Sequence, residues 1–301
     1  MYRIMSVDGG GIRGVFTAKL LTMLAKESDF LKKVDVFVGT STGALIALGL
    51  AAGLSGEQLT TLYKEFAHMI FTPNASYDEV FSNVPKYDSA LLKSMMMQYV
   101  FPTHPTLAEL KQKVIIPAFN LHDSKLNRWT HHCFHNFDLG EAKNHHVIDV
   151  ALASGAAPLY FPSYEGYVDG GVFAANPSMV GLCKVLEQNS TIDTKEVQLL
   201  SLGTGISPYF IKDRGSWGVK EWLGKDYPLF SMMTDGTVEA VHEQCEQILK
   251  TAYHRMNTVF DHPVAIDDCS QIDYLIETAE QFPQKHSSLW KETVTWINTH
   301  F

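Results

Sequence analysis

Apolar runs of strand length alternate along the chain with longer stretches in which apolar residues recur at helical spacing. Residues 2–7 form a first strand-like run, and the polar, glycine-rich segment 8–14 follows it as a loop. Over residues 15–25 the period changes, with Leu20, Leu21 and Leu24 on one side, which predicts a helix. Residues 34–38 predict a second strand, and the apolar residues 44–48 open a second helix. Ser55 with Gln58 three positions later reads as a capping box, opening a helix through Leu59, Leu62, Tyr63, Phe66 and Ile70. Residues 72–88 are rich in turn formers and predict an irregular excursion, and residues 89–99 a further helix. The run 114–120 predicts a buried strand, which Pro117 makes an edge or bulged one. Residues 147–154 predict a short helix and 197–202 a strand. Val238, Val241, Cys245, Ile248, Leu249 and Ala252 make a helical stripe near the C-terminus.

Strands alternating with helices predict an α/β fold: a three-layer sandwich with a mainly parallel central sheet and helices on both faces. Sites in such sheets form at the carboxyl ends of strands, where both glycine-rich loops of this chain fall. No repeat, low-complexity tract or linker interrupts the pattern. The chain therefore reads as a single domain over 1–301, with a motif-bearing core to about residue 205 and a helical C-terminal part from about residue 230.

Composition narrows the function. The 301 residues are 46% hydrophobic, ample for a sizeable core. A net charge of -9 and a pI near 5.8 argue against a nucleic-acid binder and against electrostatic anchoring to anionic lipid. The four cysteines (Cys133, Cys183, Cys245, Cys269) lie far apart without metal spacing and read as free thiols of a reducing compartment. No apolar run reaches about 18 residues, so no transmembrane helix is expected. The N-terminal apolar stretch is too short for a signal peptide and ends at Asp8. A cytoplasmic location follows as the expectation, although secretion without a signal peptide would leave no mark. Asn74-Ala75-Ser76 and Asn189-Ser190-Thr191 match the glycosylation pattern but mean little without a secretion signal.

The candidate chemistry sits in the two glycine loops. Gly39-Thr40-Ser41-Thr42-Gly43, between a strand-like and a helix-like run, has the form of a nucleophile elbow, in which a serine rides a sharp turn with its hydroxyl exposed. The flanking Gly39 and Gly43 relieve crowding at such a turn. Gly9, Gly11 and Gly14 also satisfy G-x-G-x-x-G, but a dinucleotide site needs an acid about 20 residues beyond, at the end of the next strand. That strand ends instead in the serine elbow, and no Lys-Ser/Thr pair follows Gly14 to make a phosphate loop. The loop reads better as an oxyanion hole, in which glycine N–H groups face a developing negative oxygen at about 3 kcal/mol each. The following helix adds its positive end. Arg13 adds a cation that could orient the loop or meet a phosphate head group.

Three segments resemble the patatin-like phospholipase family: Asp8-Gly9-Gly10-Gly11-Ile12-Arg13-Gly14, Gly39-Thr40-Ser41-Thr42-Gly43 and Asp169-Gly170-Gly171. Softer likenesses are Ala156-Ala157-Pro158 with Tyr160-Phe161-Pro162, Ala175-Asn176-Pro177 and Ser201-Leu202-Gly203-Thr204-Gly205. The resemblance implies a patatin-like fold and a Ser-Asp dyad without a catalytic histidine. Ser41 maps onto the nucleophile and Asp169 onto the base. Gly10 and Gly11 map onto the oxyanion loop, with Gly9 and Arg13 beside them. It also implies hydrolysis of ester bonds of phospholipids or other acyl lipids, with no metal or cofactor in the dyad chemistry. An enzyme without a membrane span that acts on membrane lipid must meet the membrane surface transiently, and an activator that releases it there is a further expectation, although the sequence shows no such regulator.

Other readings remain beside it. An α/β-hydrolase triad would need one of His242, His254, His262, His286 or His300 after Asp169. A lipid-binding protein could keep the scaffold without catalysis. His131-His132-Cys133-Phe134-His135 and His145-His146 contain metal-ligand residue types, but no second cluster completes a structural-zinc spacing, and polar strand positions explain them better. Met95-Met96-Met97 and the group Trp217, Trp222, Tyr227, Leu229 and Phe230 suit a lipid-facing surface or, more simply, a core.

Overall fold

The computed structural model describes residues 1–74, 84–211, 216–224 and 228–301. Its centre is a seven-stranded sheet built from β1 (Tyr2–Val7), β2 (Val36–Gly39), β3 (Lys113–Asp123), β4 (Arg128–His135), β5 (Tyr167–Asp169), β6 (Val197–Leu202) and β7 (Tyr253–Met256). The order is β4-β3-β2-β1-β6-β7, with β5 paired to β3. Strands β3, β2, β1, β6 and β7 run parallel, whereas β4 and β5 pair antiparallel with β3. The sheet is thus mainly parallel, as the alternating pattern requires.

Successive residues of a strand face opposite sides, and here both sides are covered. Met5 and Val7 of β1 join the core beneath α1 (Gly14–Glu27), α2 (Thr42–Ala52) and α3 (Gly56–Ile70), whereas Ile4 joins the core on the other face. The helices Ser178–Gln188 and Pro228–Leu249 cover that second face through Leu182, Val185, Cys245 and Leu249. Burial on two faces explains why these strands read as continuous apolar runs. The capping box at the start of α3 forms as the spacing predicts, with Gln58 N–H donating to Ser55 Oγ and Ser55 N–H to Gln58 Oε1. Behind α1, the C-terminal helix Ile272–Lys285 docks Phe282 against Phe16.

Three expectations need correction. β3 is an interior strand despite Pro117, and its irregularity lies further on, as a register shift against β4 between Asn120 and Asp123: its pairing with β2 ends at Ile115 and that with β5 begins at Ala118. The Pro117 carbonyl accepts the Ser154 hydroxyl at 2.6 Å on that side, so the missing N–H falls in the gap between two partners. The helix after residue 88 keeps α geometry only over Ser89–Met95 and then widens into a π turn over Met96–Val100, closed by Phe101 N–H on the Met96 carbonyl at 2.7 Å. Ile248 is half exposed and lies off the buried stripe of Pro228–Leu249. The middle of the excursion, Ala75 and Ser76 of the first glycosylation pattern, and Tyr227 lie outside the described residues. Among the described residues no helix is long and apolar enough to cross a membrane.

Candidate active site

Ser41 stands between the end of β2 and the start of α2 with φ 56 and ψ -120, a conformation that side-chain-bearing residues rarely adopt. The elbow packs main chain on main chain. A Cβ on Gly43 would lie 2.3 Å from the Val7 carbonyl oxygen, so only glycine fits there. Gly39 closes β2 on the other side of the turn. The elbow is pinned from the helix Val147–Gly155: Ser41 N–H donates to Ser154 Oγ at 3.0 Å, and that hydroxyl donates to the Pro117 carbonyl. Ser154→Ala should leave two buried main-chain groups without partners, lowering stability by about 1–3 kcal/mol in thermal denaturation.

Asp169 ends β5, opposite Ala118 of β3, and is buried. Its Oδ1 accepts the Gly171 N–H at 2.6 Å, and the Ser41 hydroxyl lies near enough to favour the charged carboxylate. Burial pushes the carboxyl pKa up to about 6, while the Ser41 hydroxyl and the Gly171 N–H hold it back from rising further. Gly170 forms the tight exit from β5. Two residues 128 positions apart in sequence are therefore brought to one cavity.

The first glycine loop joins β1 to α1, with Gly14 as the first residue of the helix. Gly9 lies against Ser41, since a Cβ added to it would be 3.5 Å from Ser41 Cβ. Its own N–H does not face the cavity: it donates to the Ala175 carbonyl at 2.8 Å, while its carbonyl accepts Thr204 Oγ1 at 2.7 Å. Gly9 is thus a fixed base of the loop rather than a donor. Among the described residues, the N–H groups of Gly10 and Gly11 meet no protein acceptor, and neither does that of Thr42 at the start of α2. Gly11 has φ 58, and a Cβ there would lie 2.0 Å from the Ile266 carbonyl oxygen. Arg13 is buried and lines the cavity, with Nε 3.4 Å from the Gly10 carbonyl and Nη1 3.4 Å from Ser207 Oγ. Asp8 at the root of the loop is held by Arg255 of β7, with Nη2 2.6 Å from Oδ2.

Ser41, Asp169, Gly10 and Gly11 line one cavity of about 170 Å³. Its lining includes the apolar Leu45, Leu62, Phe66, Met95, Met96 and Val100 and the polar Arg13, Thr234 and Asp235. Of the residues read as lipid-facing or core, Met95, Met96 and Phe230 line this cavity, and Trp217 packs edge-on against Trp222. Each of the five histidines beyond Asp169 pairs elsewhere: His242 with Tyr253, His254 with Thr293, His262 with Gln271, His286 with Thr258 and His300 with the Trp296 carbonyl. None lines the cavity. Among the described residues no group of three His, Cys, Asp or Glu side chains is placed to hold a metal ion. Burial lowers the pKa of His132 to about 4, as expected of a neutral ring packed on Phe134 and Tyr167.

Sequence reasoning missed Ser154, Thr42, Arg255 and Ile266. Only the N–H of Thr42 had a local signal, as the residue after the elbow serine.

Comparisons with known proteins place similar chains in one family. A family model described as "Patatin-like phospholipase" matches residues 5–181. "Protein teg" of Priestia megaterium is 34% identical over 221 residues, 72% of this chain and 68% of that protein. A "cGAMP-activated phospholipase" of Vibrio cholerae is 32% identical over 258 residues, 73% of this chain and 72% of that protein. "Patatin-like protein 2" of rice is 28% identical over 357 aligned positions, covering 96% of this chain and 85% of that protein.

Proposed function

The chain belongs to the patatin-like phospholipase family, and from that premise we propose that it hydrolyses carboxylic ester bonds of phospholipids through a Ser41 acyl-enzyme with Asp169 as base. The observation that supports this reading most is that Ser41 and the buried Asp169 line one cavity together with Gly10 and Gly11, whose N–H groups are free among the described residues.

Ser41 Oγ attacks the ester carbonyl while its proton passes to the Asp169 carboxylate. The carbonyl oxygen takes the negative charge and meets the N–H groups of Gly10 and Gly11, with that of Thr42 beside them. The tetrahedral centre collapses, the ester C–O bond breaks, and Asp169 returns the proton to the departing lysolipid or alcohol. In the second half, Asp169 takes a proton from water as its oxygen attacks the acyl carbon, and Ser41 leaves reprotonated with release of the fatty acid. A free aspartate, at about 3.9, is a weak base for an alcohol. Desolvation that lifts Asp169 to about 6 makes it a stronger one without losing the ionised form at neutral pH. The apolar lining of Leu45, Phe66 and Met95 suits an acyl chain, and Arg13 in the same cavity suits the phosphate side of the substrate.

The reading also takes the chain as a single domain, cytoplasmic and transiently at membrane surfaces, with an activator left open. No cofactor enters the chemistry.

Because the reactive form is the carboxylate, kcat/KM should rise as pH passes upward through about 6 and level off above it. A profile for a soluble ester that rises near 4 instead would place the base elsewhere. Product analysis by mass spectrometry on mixed lipid vesicles tests the substrate class: free fatty acid and lysophospholipid are expected from the protein and neither from Ser41→Ala. A non-catalytic lipid binder would yield neither product and would not react with a fluorophosphonate.

A further inference from the structure

The loop between β7 and the helix Ile272–Lys285 carries Ile266 and Asp267 side by side. The Ile266 carbonyl accepts the Ile12 N–H at 2.7 Å and stands where any side chain on Gly11 would have to go. The position of that carbonyl therefore sets the position of the glycine loop. Asp267 Oδ2 accepts Lys86 Nζ at 2.6 Å and the Tyr87 hydroxyl at 2.7 Å.

Lys86 and Tyr87 form a short strap just ahead of the helix Ser89–Met95. Their N–H groups donate to the Leu159 and Tyr160 carbonyls at 3.0 and 2.7 Å. The Tyr87 ring packs against Phe71 and Phe161, at centroid distances of 5.2 and 5.5 Å, and both of these line the cavity. One carboxylate oxygen thus joins the strap that backs the cavity wall to the residue that supports the oxyanion loop. A charge-assisted pair sharing one acceptor is a strong and directional link.

Resting on the reading of Gly10 and Gly11 as oxyanion donors, we propose that Asp267 is a positioning residue: by gripping Lys86 and Tyr87 it couples the seating of the strap to the placement of the Ile266 carbonyl, and so to the register of the glycine loop beside Ser41. With the carboxylate gone, Lys86, about a third exposed, turns to solvent, while the buried Tyr87 hydroxyl loses its acceptor. The strap then loosens, Ile266 loses its neighbouring anchor, and the oxyanion donors lose definition. Substrate contacts on the apolar lining at Leu45, Leu62 and Phe66 are untouched.

The test uses Asp267→Ala together with Tyr87→Phe, a milder variant that deletes only the hydroxyl. With p-nitrophenyl butyrate, a soluble ester, kcat per fluorophosphonate-titrated site should fall about 10-fold or more in Asp267→Ala and by a smaller factor in Tyr87→Phe, with KM within about 2-fold. Hydrogen–deuterium exchange of the Ile12 amide should speed up about 10-fold in Asp267→Ala and in the same direction in Tyr87→Phe. Wild-type exchange at Ile12 in either folded variant overturns the coupling, as does an unchanged kcat per titrated site with only a lower Tm. A wild-type protein that neither labels nor turns over would sink the functional reading alone, and the exchange result would still decide the coupling.

Discussion

Ser41→Ala should lose ester hydrolysis by a factor of about 10⁴ or more while keeping its fold. The substitution removes one oxygen from a cavity wall and leaves the pinned elbow untouched, because the Ser41 N–H still meets Ser154. The secondary effect falls on Asp169. Without the Ser41 hydroxyl beside it, the buried carboxylate is held in its charged form by the Gly171 N–H alone, and its pKa rises further. The variant should therefore unfold within a few degrees of the wild type by circular dichroism, yet release no fatty acid from vesicles. Turnover at the wild-type rate would remove Ser41 from the chemistry.

Asp169→Asn should show the second large effect, and it separates activity from stability. Activity should drop about 10³–10⁴-fold, since an amide accepts no proton from Ser41. Stability should move the other way at alkaline pH. In the unfolded chain this carboxyl titrates near 3.9, and in the folded protein at about 6, so the folded state holds the proton more tightly. Stability contributed by the protonated form is complete below about 4 and is lost as pH rises to about 6. Above that, burying the charge costs about 3 kcal/mol by the size of the shift. Asparagine carries no charge to bury. The variant should thus be more stable than the wild type at pH 8, by about 1–3 kcal/mol in urea unfolding, with the gap closing at pH 4 where both side chains are neutral. A variant less stable than the wild type at pH 8, or one with full activity, would contradict the role given to the buried carboxylate. A site that is destabilising as built and active for that reason is a familiar trade.

The sheet and its flanking helices were legible because most elements bury one continuous stripe or run, as β1 and α1 do. Both glycine loops were legible as loops at the carboxyl edge. Pro117 misled because proline argues for an edge strand, and a strand that changes neighbours midway has no local signature. The widened turn at Met96–Val100 depends on packing around the cavity, which periodicity does not record.

At the site, the elbow around Ser41 could be read from local chemistry. Asp169 could not. Its strand, β5, is three residues long, and it reaches Ser41 only because it pairs with β3 just beyond the end of β2. The motif resemblance, rather than periodicity, brought it into view. The glycine run showed that N–H groups were available, but the engagement of Gly9 by Ala175 is a contact across 166 positions. Ser154, Arg255 and Ile266 act through single hydrogen bonds from distant segments, so no neighbouring residues mark them.

The most direct measurement is the mass of the intact protein, with peptide mapping, after reaction with a fluorophosphonate at pH 8. A single adduct on Ser41, absent from Ser41→Ala and strongly slowed in Asp169→Asn, is the result expected of a serine activated by that carboxylate. An adduct on another residue, or labelling of Ser41 at an undiminished rate without Asp169, would contradict it.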